Sequence, residues 1–149
     1  MRAVIQRVSS ASVTVDSETT GAINAGLLVL LGIHKNDGTK EIQWMVDKII
    51  NLRIFEDEDG KMNDSLLDTG GAMLVVSQFT LYGDCRKGRR PGYSTAAQPD
   101  SAKLLYLQFI DCVKQKNIST ASGRFQAHMD VELVNDGPVT LLLDSSKLF

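Results

Sequence analysis

Cysteine and proline are scarce in this chain, and long apolar runs are missing. Cys85 and Cys112 are the only cysteines among 149 residues. Two are too few for a disulfide framework, and their spacing fits no metal motif. No apolar stretch reaches the roughly 18 residues that a membrane-spanning helix needs. Strand-like sequence begins at Arg2, which leaves no room for a signal peptide. These features point to a cytoplasmic, reduced protein without a membrane partner. Charge of one sign is missing too, since 16 Lys and Arg against 18 Asp and Glu leave a formal net charge of −2. Bulk charge therefore announces no nucleic-acid partner, and contact with phosphate would need a local basic patch. HExxH, CxxC, P-loop and GxGxxG motifs do not occur, so neither a metal site nor a dinucleotide cofactor is expected.

What is present suits one domain over residues 1–149, with 43% hydrophobic and 23% charged residues. A domain of this length buries roughly 68–70% of its unfolded surface and can fold without staples. Ala3–Val8 and Ser12–Val15 read as two strands joined by a short Ser-rich turn. Leu27–Leu31 and Ala72–Val76 are continuous apolar runs, as expected of strands buried on both faces. Thr39 is placed to cap a helix whose apolar face is Ile42, Met45, Val46, Ile49 and Ile50. Pro99 and Asp100 open a second helix with Ala102, Leu105, Tyr106, Phe109, Ile110 and Val113 on one face. From Arg124 to Leu133 apolar and polar residues alternate, which predicts a strand with Phe125, Ala127, Met129, Val131 and Leu133 inward. Asn135–Pro138 is a dense turn signal before a last strand, Val139–Leu143. Glu56–Lys61 is an exposed acidic turn whose ligand positions are out of register for a calcium loop. The pattern predicts an α+β domain: a mainly antiparallel sheet, curled or barrel-like, with two amphipathic helices packed outside.

Chemistry concentrates where the Ala72–Val76 strand turns polar at Ser77, Gln78 and Thr80. Such a strand end either hydrogen-bonds its own turn or holds a site on a rigid support. Thr80 is a candidate nucleophile, but a threonine hydroxyl needs a base, and no base is evident in sequence. His34 and His128 stand in no recognisable triad spacing. Arg86-Lys87-Gly88-Arg89-Arg90 follows closely and reads either as a solvated loop or as a phosphate-contacting one. Gly137-Pro138 reads by itself as a turn, and sequence does not license a cis bond.

Two segments taken together carry a resemblance. Ser77-Gln78-Phe79-Thr80-Leu81-Tyr82 and Asn135-Asp136-Gly137-Pro138-Val139-Thr140 resemble the signature motifs of the D-aminoacyl-tRNA deacylases. Met1–Val8, Leu52–Phe55, Gly60–Asn63 and Gly88–Pro91 agree with that family, and the similarity spans essentially the whole chain. Gly92-Tyr93 departs from the serine and phenylalanine expected after Pro91. The resemblance implies a homodimer of barrel-like subunits. Its partner would be tRNA carrying a D-amino acid or glycine, whose ester it cleaves without a cofactor. Ser77, Gln78, Phe79 and Thr80 would line the adenosine and the scissile ester. Gly137-Pro138 would match a glycine–cis-proline motif that enters the partner subunit's pocket and excludes L-amino acids. Phe125 and Met129 complete the expected substrate-binding set.

The lack of a base favours a scheme in which the neighbouring ribose hydroxyl of the tRNA orients or activates water. The protein would then position the ester and offer backbone N–H donors near Phe79–Thr80 to the oxyanion. Two other classes stay open: a non-catalytic RNA-binding barrel, and an esterase in which Thr80 is a true nucleophile.

Overall fold

The structure, a computed structural model, describes all 149 residues. Twelve segments matter: β1 (Arg2–Val15), β2 (Glu18–Ile23), β3 (Gly26–Gly32), α1 (Thr39–Ile50), β4 (Phe55–Glu56), β5 (Met62–Asp64), α2 (Leu66–Thr69), β6 (Ala72–Ser77), a 3-10 turn (Phe79–Tyr82), α3 (Pro99–Lys114), β7 (Thr120–Ser122) and β8 (Asp130–Asp144). The main sheet runs β2-β1-β3-β6-β7, and β8 pairs with β1. Pairs made by β1 are antiparallel, whereas β3–β6 and β6–β7 are parallel. The sheet curls until its ends approach: a Cβ on Gly21 of β2 would stand 2.6 Å from the Ser122 carbonyl oxygen of β7. Only a residue without a side chain permits that closure. The α+β, barrel-like single domain expected from sequence is the fold observed.

Two apolar clusters fill the molecule. Odd-numbered residues of β3 and β6 (Leu27, Val29, Leu31, Met73 and Val75) face α1 and α3, where they meet Met45, Ile49, Tyr106 and Phe109. Even-numbered Leu28, Leu74 and Val76 face the other way and pack with Val8, Val13, Val15 and Met129. This period-two division explains why those strands read as unbroken apolar runs. Full burial of each large side chain contributes roughly 1.5–3 kcal/mol, so the two central strands are the rigid part of the molecule.

Several expectations change. The first two strands are one: β1 pairs with β3 over Arg2–Val8, with β2 over Ala11–Val15, and with β8 along both halves. Ser9 and Ser10 are exposed because the register to β8 slips there, and the chain does not turn. Asn135–Pro138 is likewise no reversal. β8 runs through it, but Val8 pairs with Asn135 and Gln6 with Thr140, so Asp136–Val139 stand out opposite Arg7 alone. The strand predicted from Arg124 begins only at Asp130, and Gln126 has φ +63°. Phe125, Ala127 and Met129 alternate because they pack against the two core clusters, without pairing in the sheet.

Thr39 is the first helical residue of α1, and Gly38 is the cap, its N–H donating to Glu41 Oε2 at 2.8 Å. A third, short helix, α2, was legible in Ser65-x-x-Asp68: Asp68 N–H donates to Ser65 Oγ at 3.3 Å, and Ser65 N–H to Asp68 Oδ2 at 2.8 Å. The acidic turn closes the β4–β5 hairpin, with Asp57 Oδ1 accepting from the N–H groups of Asp59 and Lys61, each at 3.0 Å. No helix is long and apolar enough to cross a membrane.

Candidate active site

The centre of the sheet positions the site. At the end of β6, Ser77 pairs with Leu31, and Gln78 N–H donates to the Leu31 carbonyl at 2.8 Å. The chain then coils into the 3-10 turn, held from below by Tyr82. That ring is buried, Arg2 stacks over its face at 4.7 Å, and His34 packs at 5.4 Å. Arg2 also donates to the Leu81 carbonyl and to Asp144 Oδ2, both at 2.9 Å. Burial, then the nearby Asp37 and Asp144 charges, push the Tyr82 phenol well above its ordinary value, so it stays neutral. Tyr82 is therefore an anchor, and the residues before it are the ones presented outward.

Ser77, Gln78 and Phe79 open into a cavity of about 610 Å³. Phe125, Met129 and Val131 form one wall, and Ile33, Ala97 and Pro99 another. Phe79 is 58% exposed, and Tyr93 meets it edge-on with ring centroids 5.0 Å apart. Phe125 is backed by Tyr106 at 5.7 Å. Tyr106 is itself fixed by its hydroxyl donating to the Val75 carbonyl at 2.8 Å, and burial pushes its phenol up to about 12. The pocket is thus mostly apolar with a polar floor, which suits a ligand that buries apolar surface and is oriented by a few polar groups.

Thr80 does not line the cavity; it sits exposed on the turn. Its hydroxyl accepts from the Gln78 amide nitrogen, and it has no carboxylate or imidazole partner. The amides of Phe79 and Thr80 open the turn, ahead of its Leu81 N–H to Gln78 carbonyl bond at 3.3 Å, where N–H groups have no partner within the turn itself. Sequence reasoning left the pocket without a histidine, whereas the structure lines it with His128. The alternation that put His128 on the polar face beside Met129 was the available signal. His128 is 96% exposed and stands 3.9 Å from Asp130.

Gly137-Pro138 is a cis peptide on the exposed excursion of β8. A single chain does not bring it into the cavity that Ser77–Phe79 line. Arg7, only 6% exposed, supports the excursion by donating to the Ile54 carbonyl at 2.6 Å and the Asp136 carbonyl at 3.3 Å. Asn135 ties its two ends, with the amide donating to the Arg7 carbonyl at 2.9 Å and the Val139 carbonyl at 3.1 Å. Sequence reasoning quoted Asn135 as part of the turn and the motif and gave Arg7 no supporting role, because a buried arginine inside a strand carries no local signature. Cys85 and Cys112 are unpaired.

The model of the D-Tyr-tRNA(Tyr) deacylase family matches residues 4–144. The chain is 64% identical to a D-aminoacyl-tRNA deacylase of Clostridioides difficile and 62% identical to one of Thermosipho africanus, with all of both chains covered in each case. A solved structure named as a c-Myc DNA unwinding element binding protein superposes with a TM-score of 0.91 at 43% identity, covering 97% of this chain and 98% of that one. Another, a probable eukaryotic D-amino acid tRNA deacylase, superposes with a TM-score of 0.82 at 17% identity over 95% of this chain and 97% of that one, a likeness of fold alone. With sequence and fold aligned over nearly their whole length, the chain belongs to the D-Tyr-tRNA(Tyr) deacylase family.

Proposed function

We propose that the protein hydrolyses the ester joining a D-amino acid, or glycine, to the terminal adenosine of tRNA. The observation that carries this reading is the seating of Ser77–Phe79 at the end of a clamped central strand, on the floor of a 610 Å³ cavity. That volume lies within the roughly 300–1,000 Å³ of small-ligand sites. Phe79 offers a ring face to the adenine, and the apolar walls with Phe125 and Met129 take the amino-acid side chain. Water adds to the ester carbonyl, the bond to the ribose oxygen breaks, and the free amino acid leaves. The amides of Phe79 and Thr80, at the opening of the turn, are the candidate donors to the oxyanion. Thr80, bonded to Gln78 and lacking a base, positions the ester, and the ribose 2′-hydroxyl of the substrate orients the attacking water.

Chirality is read by repulsion. D and L esters present the same groups in mirror arrangement, so affinity for shared groups does not separate them, but a rigid wall does. The Arg7-supported Gly137-Pro138 segment of a second copy, entering this cavity in a homodimer, is the proposed wall. Glycine has no side chain to meet it, so glycyl-tRNA is cleaved as well. The setting is cytoplasmic translation, where misacylated tRNA occurs.

Incubation with D-tyrosyl-tRNA and L-tyrosyl-tRNA tests the reading. Loss of the D ester alone is expected. Binding without hydrolysis selects the second reading, a nucleic-acid-binding barrel, which the name of the 43%-identical structure favours. Cleavage of simple esters without tRNA would select a protein nucleophile.

A further inference from the structure

The four cations of Arg86–Arg90 remain outside the pocket chemistry. They sit on a short excursion closed at its base by two backbone bonds, Asp84 N–H to Gly92 carbonyl at 2.8 Å and the reverse at 3.0 Å. Gly88 at the tip has φ +71° and nothing within 4 Å of a Cβ, so the tip projects into open space. Both arms are fixed to the mouth of the pocket. On the entering side Gly83 N–H donates to the Thr80 carbonyl at 2.9 Å, and on the leaving side Tyr93 packs against Phe79.

The cations are not equivalent. Arg86 is held by Asp84 through a fork, Nε to Oδ1 at 2.9 Å and Nη2 to Oδ2 at 2.7 Å. This pairing pushes the Asp84 carboxyl far below its ordinary value, so both groups stay charged and mutually neutralised. Lys87, Arg89 and Arg90 are exposed and enter no ion pair. Three free cations on one projecting tip stand out in a chain whose net charge is −2.

Resting on the proposed activity, we infer that Lys87, Arg89 and Arg90 bind phosphates of the substrate RNA a few nucleotides from its aminoacylated end. An RNA whose terminal adenosine stacks on exposed Phe79 runs out beside Phe79 and Tyr93, and the loop is anchored there by the Tyr93–Phe79 contact and the Gly83 bond to Thr80. Its cations thus meet the backbone of the emerging strand, while Arg86–Asp84 serves as the internal brace that holds the hairpin. Phosphate contacts of this kind position an RNA without reading its sequence.

The test uses Lys87→Gln/Arg89→Gln/Arg90→Gln, with a melting curve to verify folding and Arg89→Lys/Arg90→Lys as a conservative control. Affinity for uncharged tRNA is measured from low to moderate salt. Hydrolysis is measured on D-tyrosyl-tRNA and on D-tyrosyl-adenosine, which lacks the phosphates. Each lost phosphate contact lowers the slope of log affinity against log salt by about 0.7–0.9, so the triple variant should be shallower by about two to three. KM for whole tRNA should rise at least about tenfold more than KM for the adenosine ester, with kcat little changed, and the lysine control should restore most of the loss. An unchanged salt slope, or equal losses on both substrates, would overturn the assignment. If wild type binds tRNA but cleaves no D ester, the proposed activity fails, while the binding slopes still decide the loop.

Discussion

Gly137→Ala probes the segment assigned to stereochemical exclusion. Gly137 has φ +110°, a region that residues with a Cβ avoid, and its added methyl would lie 2.5 Å from Arg7 Nη2 and 3.1 Å from Val139 Cγ2. The backbone conformation alone costs about 1–3 kcal/mol. Relief by moving the Arg7 guanidinium threatens its bonds to the Ile54 and Asp136 carbonyls, each worth about 1.5–3 kcal/mol as a charge-assisted bond. The exposed excursion can shift more easily than buried Arg7, so a net loss of about 2–4 kcal/mol is expected. For a chain of this size that lowers the melting temperature by about 4–15 °C. In single-turnover assays on matched D- and L-tyrosyl-tRNA, the ratio of D to L cleavage should fall at least about tenfold, as expected when about 1.4 kcal/mol of repulsion is lost. A variant that melts with wild type would refute the packing described around Gly137. A destabilised variant that still rejects the L ester would refute the wall.

Three further outcomes follow from the same geometry. Thr80→Ala and His128→Ala should each keep kcat within about tenfold of wild type and trap no acyl-enzyme, whereas loss of a true nucleophile or base costs about 10⁴–10⁶-fold. Phe79→Ala should raise KM for D-tyrosyl-tRNA about 5–150-fold, the equivalent of the 1–3 kcal/mol of one aromatic–base stack, and leave the melting temperature near wild type because the ring is exposed. Asp144→Asn should cost about 1.5–3 kcal/mol at neutral pH, since the carboxylate accepts from Arg2 at 2.9 Å and from Ser146 N–H at 2.6 Å. Burial opposes the Asp144 charge, but these donors more than offset it and hold the carboxyl below its ordinary value. That contribution is present above the free carboxyl value and is lost as pH falls through the folded one. The melting difference between variant and wild type should therefore shrink below about pH 4, and a constant difference to acid pH would count against the Arg2–Asp144 bond.

Residues whose role is set by local pattern were legible in sequence. The helical faces of α1 and α3 and the buried runs Leu27–Leu31 and Ala72–Val76 follow from periodicity alone. The polar end of β6 was legible for the same reason, because an abrupt change of side-chain type ends a strand. What depends on pairing was not. Ser9-Ser10 and Asn135–Pro138 carry turn chemistry, yet β1 and β8 run on beside each other and absorb them as slips in register. Phe125–Met129 alternates like a strand because Phe125, Ala127 and Met129 pack against the core clusters while Gln126 and His128 stay exposed, a burial pattern that needs no sheet pairing. Arg7 and His128 acquire their positions from segments distant in sequence, Ile54 and Asp136 for one and the Ser77–Phe79 floor for the other. No local spacing encodes the place of Arg7, and for His128 the alternation beside Met129 gave only its face, not the floor it meets.

The most direct measurement is the single-turnover hydrolysis of D-tyrosyl-tRNA ending in adenosine beside the same tRNA ending in 2′-deoxyadenosine, with equal binding verified for both. The account predicts rapid enzymatic cleavage of the first and decay of the second at the rate seen without protein. Equal enzymatic rates on the two, or no acceleration on either, would contradict it.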